Sequence, residues 1–196
     1  MSTVTSHHLF DPIAVGRLET TAWASYYRRQ WSRFLPAAVG MVRAGFGMSR
    51  RRTLIGAWWV LRANPRWAPY PDNDPGAARQ YMRRFYALVA NSGYPHLDPI
   101  RAATLEVDWW RVHRLHQHST DLTEDDLTQA LVDLYAYVYR VAPVAVRDAA
   151  RLRMQAMDVS DRWVEAGCDL TDPLLAEERR LLVGSYTALR DAVERA

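Results

Sequence analysis

Four times in this chain an aspartate stands directly before a proline: Asp11-Pro12, Asp74-Pro75, Asp98-Pro99 and Asp172-Pro173. An aspartate side chain accepts the unpaired N–H groups of a first helical turn. Proline at the next position lacks only a donor that this turn leaves unused, so the dipeptide marks a helix start. At the last three sites a segment with apolar residues at helical spacing follows at once. Ser49 and Thr123 are further cap candidates. Together these signals predict helices over 18–46, 50–63, 75–91, 99–118, 124–141, 143–167 and 173–195, and no segment alternates in the manner of a strand. The expected fold is therefore all-α, a single-domain bundle of six to seven helices in orthogonal or irregular packing. Residues 1–9 are expected to be a mobile N-terminal tail and 10–196 one helical domain. A chain of 196 residues is long enough to bury a core of its own.

The first of these segments carries Trp23, Tyr27, Trp31, Phe34, Ala38 and Met41 along one helical stripe. Pro36 and the series Gly40, Gly45, Gly47 predict a kink or break within it. The stretch "NPRWAPYPDND" reads as an ordered connection pinned by Trp67 and Tyr70.

"TLEVDWWRVHRLHQHS", residues 104–119, concentrates the chemistry. At 100° per residue, one side of this helix carries Trp109, Trp110, Glu106, His113 and Gln117, with His116 at its edge. The other side carries Arg101, Asp108, Arg111, Arg114 and His118. The face with both tryptophans is the one to bury, so Glu106 and His113 need partners inside. Either neighbouring helices satisfy them as a polar seam, or they line a pocket. On the sixth predicted helix the strip Val146, Ala150, Met154, Met157, Asp161, Val164 is apolar except for Asp161, a second interior acid that could also pair with Arg153 or Arg162.

These residues suggest a small helical-bundle enzyme acting on an apolar or aromatic small molecule. Glu106, His113 and Asp161 are its candidate catalytic groups, for proton transfer or ligand positioning. Trp109, Trp110, Gln117, Tyr135 and Tyr137 are the candidate ligand-binding side chains. A metal- or haem-dependent oxidoreductase is an alternative, with His113 and His116 as ligands, although Glu106 lies two turns, ~10 Å, before His113 and no Glu-x-x-His pair is present. No nucleophile elbow, Gly-rich phosphate loop, CxxC or HExxH is present. Cys168, the single cysteine, follows a predicted helix C-terminus and is a poor candidate nucleophile there.

All 25 basic residues are arginine. Residues 1–70 hold ten of them against Asp11 and Glu19, a balance of +8, while 71–196 hold fifteen against twenty acids, a balance of −5. Such halves can attract each other within the fold or across a homodimer. "YYRRQWSRF" and "SRRRTLIGAWWVLRANPRW" interleave arginine with aromatics, which suits peripheral contact with an anionic membrane and an interaction protein without catalysis. Nucleic acid is disfavoured by the small net charge and the absence of a binding motif. The lone cysteine and the lack of a signal-peptide pattern point to the cytoplasm.

Overall fold

The computed structural model describes residues 10–119 and 121–196, so the expected tail over 1–9 lies outside the described residues. Among them are eight α-helices, a 3-10 turn and no strand. The fold is all-α, a single-domain helical bundle. The helices are α1 (Pro12–Tyr27), α2 (Trp31–Phe46), α3 (Arg50–Trp67), α4 (Pro75–Ala90), α5 (Pro99–His118), α6 (Glu124–Tyr139), α7 (Arg147–Glu165) and α8 (Pro173–Glu194); the 3-10 turn is Pro143–Val146.

All four Asp-Pro pairs start helices. Asp11, Asp74, Asp98 and Asp172 each accept backbone N–H groups of the turn that follows, a contribution of about 1 kcal/mol apiece. The Asp11 start came without a strongly periodic segment behind it and extends the first helix six residues earlier than expected. Thr123 closes a reciprocal capping box with Asp126. Ser49 precedes α3, but its side chain makes no capping bond.

The long first helix is in fact two, and the break is not at Pro36 or the glycines. It lies at Arg28–Gln30, where Arg29 takes a left-handed φ of 56°. The Gln30 N–H reaches the Ser25 carbonyl at 2.8 Å and the Arg29 N–H reaches Tyr26 at 2.9 Å. That is a Schellman ending with arginine in the position glycine usually fills, so composition gave no sign of it. Pro36 falls early in α2, where the bond it forfeits is to the carbonyl of exposed Ser32, and the helix runs through it.

Helices adjacent in sequence pack side by side from α1 to α8, and α8 returns to pack along α1. The bundle is thus a closed circuit. Its closing contact is tight: a Cβ on Gly16 of α1 would stand 2.9 Å from the Val183 backbone nitrogen of α8, so only glycine lets these helices approach so closely. The main apolar core runs through the middle and later helices around Phe85, Val107, Leu127, Leu131 and Leu189, with Phe10 and Val15 joining it. Trp163 is buried beside α1 and α8, its indole N–H donating to the Asp169 carbonyl at 2.7 Å.

Candidate functional site

Inside the circuit the helices leave a cavity of about 270 Å³, walled by α1, α2 and α3 on one side and by α5, α7 and α8 on the other. Its lining is mainly aromatic and aliphatic, including Tyr26, Phe34, Val60, Trp67, Trp109 and Trp110. Trp23, Tyr27 and Gln117 line it and are also exposed, which puts its mouth where the end of α1 faces the end of α5. Three hydrogen-bonded polar networks and one further carboxyl, Glu178, are set in these walls.

The deepest joins α1, α7 and α8. Glu19 is buried, and both its oxygens accept from the Arg153 guanidinium. The Tyr186 hydroxyl accepts from Arg153 at 2.6 Å and donates to Glu19 at 2.6 Å. Burial alone would lower the Arg153 pKa, but the attraction of Glu19 outweighs it and holds the guanidinium charged. The same guanidinium lies 5.6 Å from the centre of the Trp109 ring.

The second is Glu106 on α5. It accepts from the Tyr86 hydroxyl of α4 at 2.6 Å and from the indole N–H groups of Trp109 at 3.2 Å and Trp110 at 3.1 Å. These are the next turn of its own helix, at offsets of three and four, so the carboxylate fixes the orientation of both indoles. Burial raises its pKa even against these three donors and Arg153. Both of its oxygens are held by these donors rather than by His113.

The third is His113, two turns after Glu106 on α5. Its Nε2 stands 3.1 Å from Asp161 Oδ2 of α7, and Gln117, one turn further along α5, donates to Asp161 Oδ1 at 2.8 Å. A carboxylate partner makes Nε2 the protonated nitrogen, which leaves Nδ1 with its lone pair. The ring also lies against Trp109, with centroids 6.4 Å apart. Glu106 and His113, two helical turns apart, thus belong to two separate networks, each with a partner from another helix. Asp161 pairs with His113 and Gln117; Arg153, one of the partners expected for it, is committed to Glu19.

Glu178 was not anticipated. It is 2% exposed, forms part of the cavity wall, and its Oε2 has no hydrogen-bond partner. Burial, reinforced by the nearby Glu19 charge, pushes its carboxyl up to about 8.

Tyr135 and Tyr137 of α6 stand off the cavity lining. Tyr135 is buried, close enough to Arg153, Glu19 and Glu106 for their charges to act on it. Tyr137 instead serves the start of α5: its hydroxyl accepts the Asp98 N–H at 2.9 Å, and Arg101 sits 4.5 Å over its ring. His116 also turns away from His113. Its Nδ1 contacts the Leu122 carbonyl at 3.1 Å, and its Nε2 is 3.8 Å from Asp158. Among the described residues no three His, Cys, Asp or Glu side chains are arranged to hold a metal ion.

Comparison of the chain with protein-family models, with curated proteins and with solved structures finds no match.

Proposed function

We infer that the cavity binds an apolar or aromatic small molecule and that His113 acts in it as a proton acceptor positioned by Asp161. The observation that carries this reading is the His113–Asp161–Gln117 chain on the wall of an aromatic cavity. A volume of about 270 Å³ lies just below the roughly 300–1,000 Å³ of most ligand pockets and suits two or three rings rather than a macrocycle. Asp161 fixes the tautomer and orientation of the imidazole and stabilises the imidazolium formed when Nδ1 takes a proton from a bound C–H, N–H or O–H group. Gln117 keeps Asp161 in place by holding its other oxygen. Glu106 has its oxygens filled by three donors, so its part is to set the indoles of Trp109 and Trp110 as walls for the ligand. Glu178, whose Oε2 is unpartnered, is the group best placed to meet a single polar atom on an otherwise apolar molecule. A metal- or haem-dependent reaction is less favoured, since His113 and His116 are held by different partners.

The uncharged fluorophore N-phenyl-1-naphthylamine tests both halves of the reading. It should brighten on binding the wild-type protein, and Ala38→Trp, which fills the cavity from α2, should abolish that signal. His113→Gln should bind it nearly as well. Carbethoxylation of His113 by diethyl pyrocarbonate, followed by mass spectrometry, should be slowed by saturating fluorophore, and Asp161→Asn should shift its pH profile. Binding unaffected by Ala38→Trp, or modification of His113 indifferent to the fluorophore, would overturn the assignment.

A further inference from the structure

From Thr20 to Pro71 the chain holds nine arginines and not one aspartate or glutamate. This stretch includes α2 and α3, whose inner sides wall the cavity through Phe34, Ala38, Ala57 and Val60. Their outer sides are apolar as well. On α3, Leu54, Ile55 and Trp58 recur at helical spacing and are 60%, 44% and 53% exposed. Arg51 and Arg62 share that side, three residues before Leu54 and four after Trp58. Arg62 lies 5.7 Å from the centre of the Trp58 ring. On α2, Trp31 and Leu35 stand one turn apart and are 52% and 45% exposed. The Trp31 ring packs edge-on against Tyr26 and Phe34, both cavity-wall residues, at 6.1 and 5.8 Å. An aromatic path therefore runs from the outer surface to the cavity rim.

We propose that the outer side of α2 and α3 is a docking face for an anionic lipid bilayer, from which an apolar molecule passes over Trp31, Tyr26 and Phe34 into the cavity. Charge and chemistry select this occupant together. Uninterrupted positive charge matches an anionic surface. Tryptophan with arginine at its edge suits the headgroup boundary, where the ring is half immersed and the guanidinium stays hydrated. The aliphatic side chains Leu35, Leu54 and Ile55 gain from acyl chains and offer a phosphodiester backbone or a base edge nothing, which argues against nucleic acid on the same face. Peripheral docking needs no spanning segment, and among the described residues no helix is long and apolar enough to cross a membrane. The entry route rests on the cavity reading; the docking itself does not.

Flotation with two kinds of vesicle tests it, phosphatidylcholine alone and phosphatidylcholine mixed with phosphatidylglycerol. The protein should float with the mixed vesicles, and added salt should weaken the association. The triple variant Leu54→Ser, Ile55→Ser, Trp58→Ser, all at exposed positions, should keep its helical circular dichroism and partition at least about tenfold less. Arg51→Gln should reduce binding to the anionic vesicles by about fivefold. Ala38→Trp should float like the wild type, so that failure of the cavity leaves the docking result standing. Equal binding to both vesicle types, binding to a single-stranded oligonucleotide without binding to vesicles, or a dimer that the triple variant dissociates without vesicle binding would each overturn the proposal.

Discussion

Arg153 and Glu19 hold each other closely: two contacts between them, a tyrosine bridging both, and side chains 12% and 4% exposed. His113 and Asp161 face the same cavity with 19% and 27% exposure, a single contact, and one ring nitrogen not engaged by it. Both are pairings of a basic side chain with a carboxylate, both involve α7, and Trp109 touches each. The first has both carboxylate oxygens held and would expose a bare charge to the interior if broken. The second is shallower, and its groups stay within reach of whatever enters the cavity. Depth and double contact fit a structural pair; the shallower, singly held pair is the one to which the proposed chemistry is given.

The largest effect should come from breaking the deep pair. Glu19→Ala strands the Arg153 guanidinium and should cost on the order of 3–5 kcal/mol, lowering the melting temperature by roughly 10 °C. A melt within about 2 °C of the wild type would erase the distinction.

Glu178 sharpens it through pH. Its folded pKa of about 8 stands above the ordinary 4.5. The folded protein thus keeps a proton that the unfolded chain has already lost, and stability should fall as pH rises through that interval. Glu178→Gln stays neutral throughout. Denaturant midpoints at pH 5 and pH 9 should show the variant gaining on the wild type by roughly 3 kcal/mol as pH increases. Parallel curves would mean that Glu178 keeps its charge inside the cavity.

The smallest effect on stability belongs to the pair assigned to chemistry. His113→Gln and Asp161→Asn should each cost no more than about 1 kcal/mol in thermal melts, since the pair is partly hydrated. If either variant melts as early as Glu19→Ala, His113 and Asp161 are a structural seam, and the comparison fails.

Much of this architecture was legible because helices announce themselves locally. The Asp-Pro starts needed only backbone chemistry, and the 100° spacing placed Glu106, His113 and the two tryptophans of α5 on one side without reference to any other helix. Partners were harder. Glu106 and His113 shared a face, yet one turned out to meet Tyr86 from α4 and the other Asp161 from α7, since helical spacing gives direction and not the identity of what lies opposite. Glu19, Arg153 and Glu178 sit in strings such as "RLET", "RLRMQ" and "EERR" that read as hydrated surface. One signal was available for Glu19: it is the only acid between Asp11 and Asp72, and it shares a helical side with Val15 and Ala22. The division of α1 from α2 escaped because arginine, a residue with no turn preference, occupies the left-handed position.

The circuit closes only when α8 lies along α1, and this sets the order of events during synthesis. Glu19 leaves the ribosome before Arg153 and Tyr186, which are 134 and 167 residues downstream. Until α7 and then α8 are out, α1 lacks first the guanidinium that neutralises its carboxylate and then the neighbour of Gly16. The arginine-rich, aromatic helices α2 and α3 are therefore made before the helices that close the cavity over their inner sides, and its wall is complete only once α8 is in place.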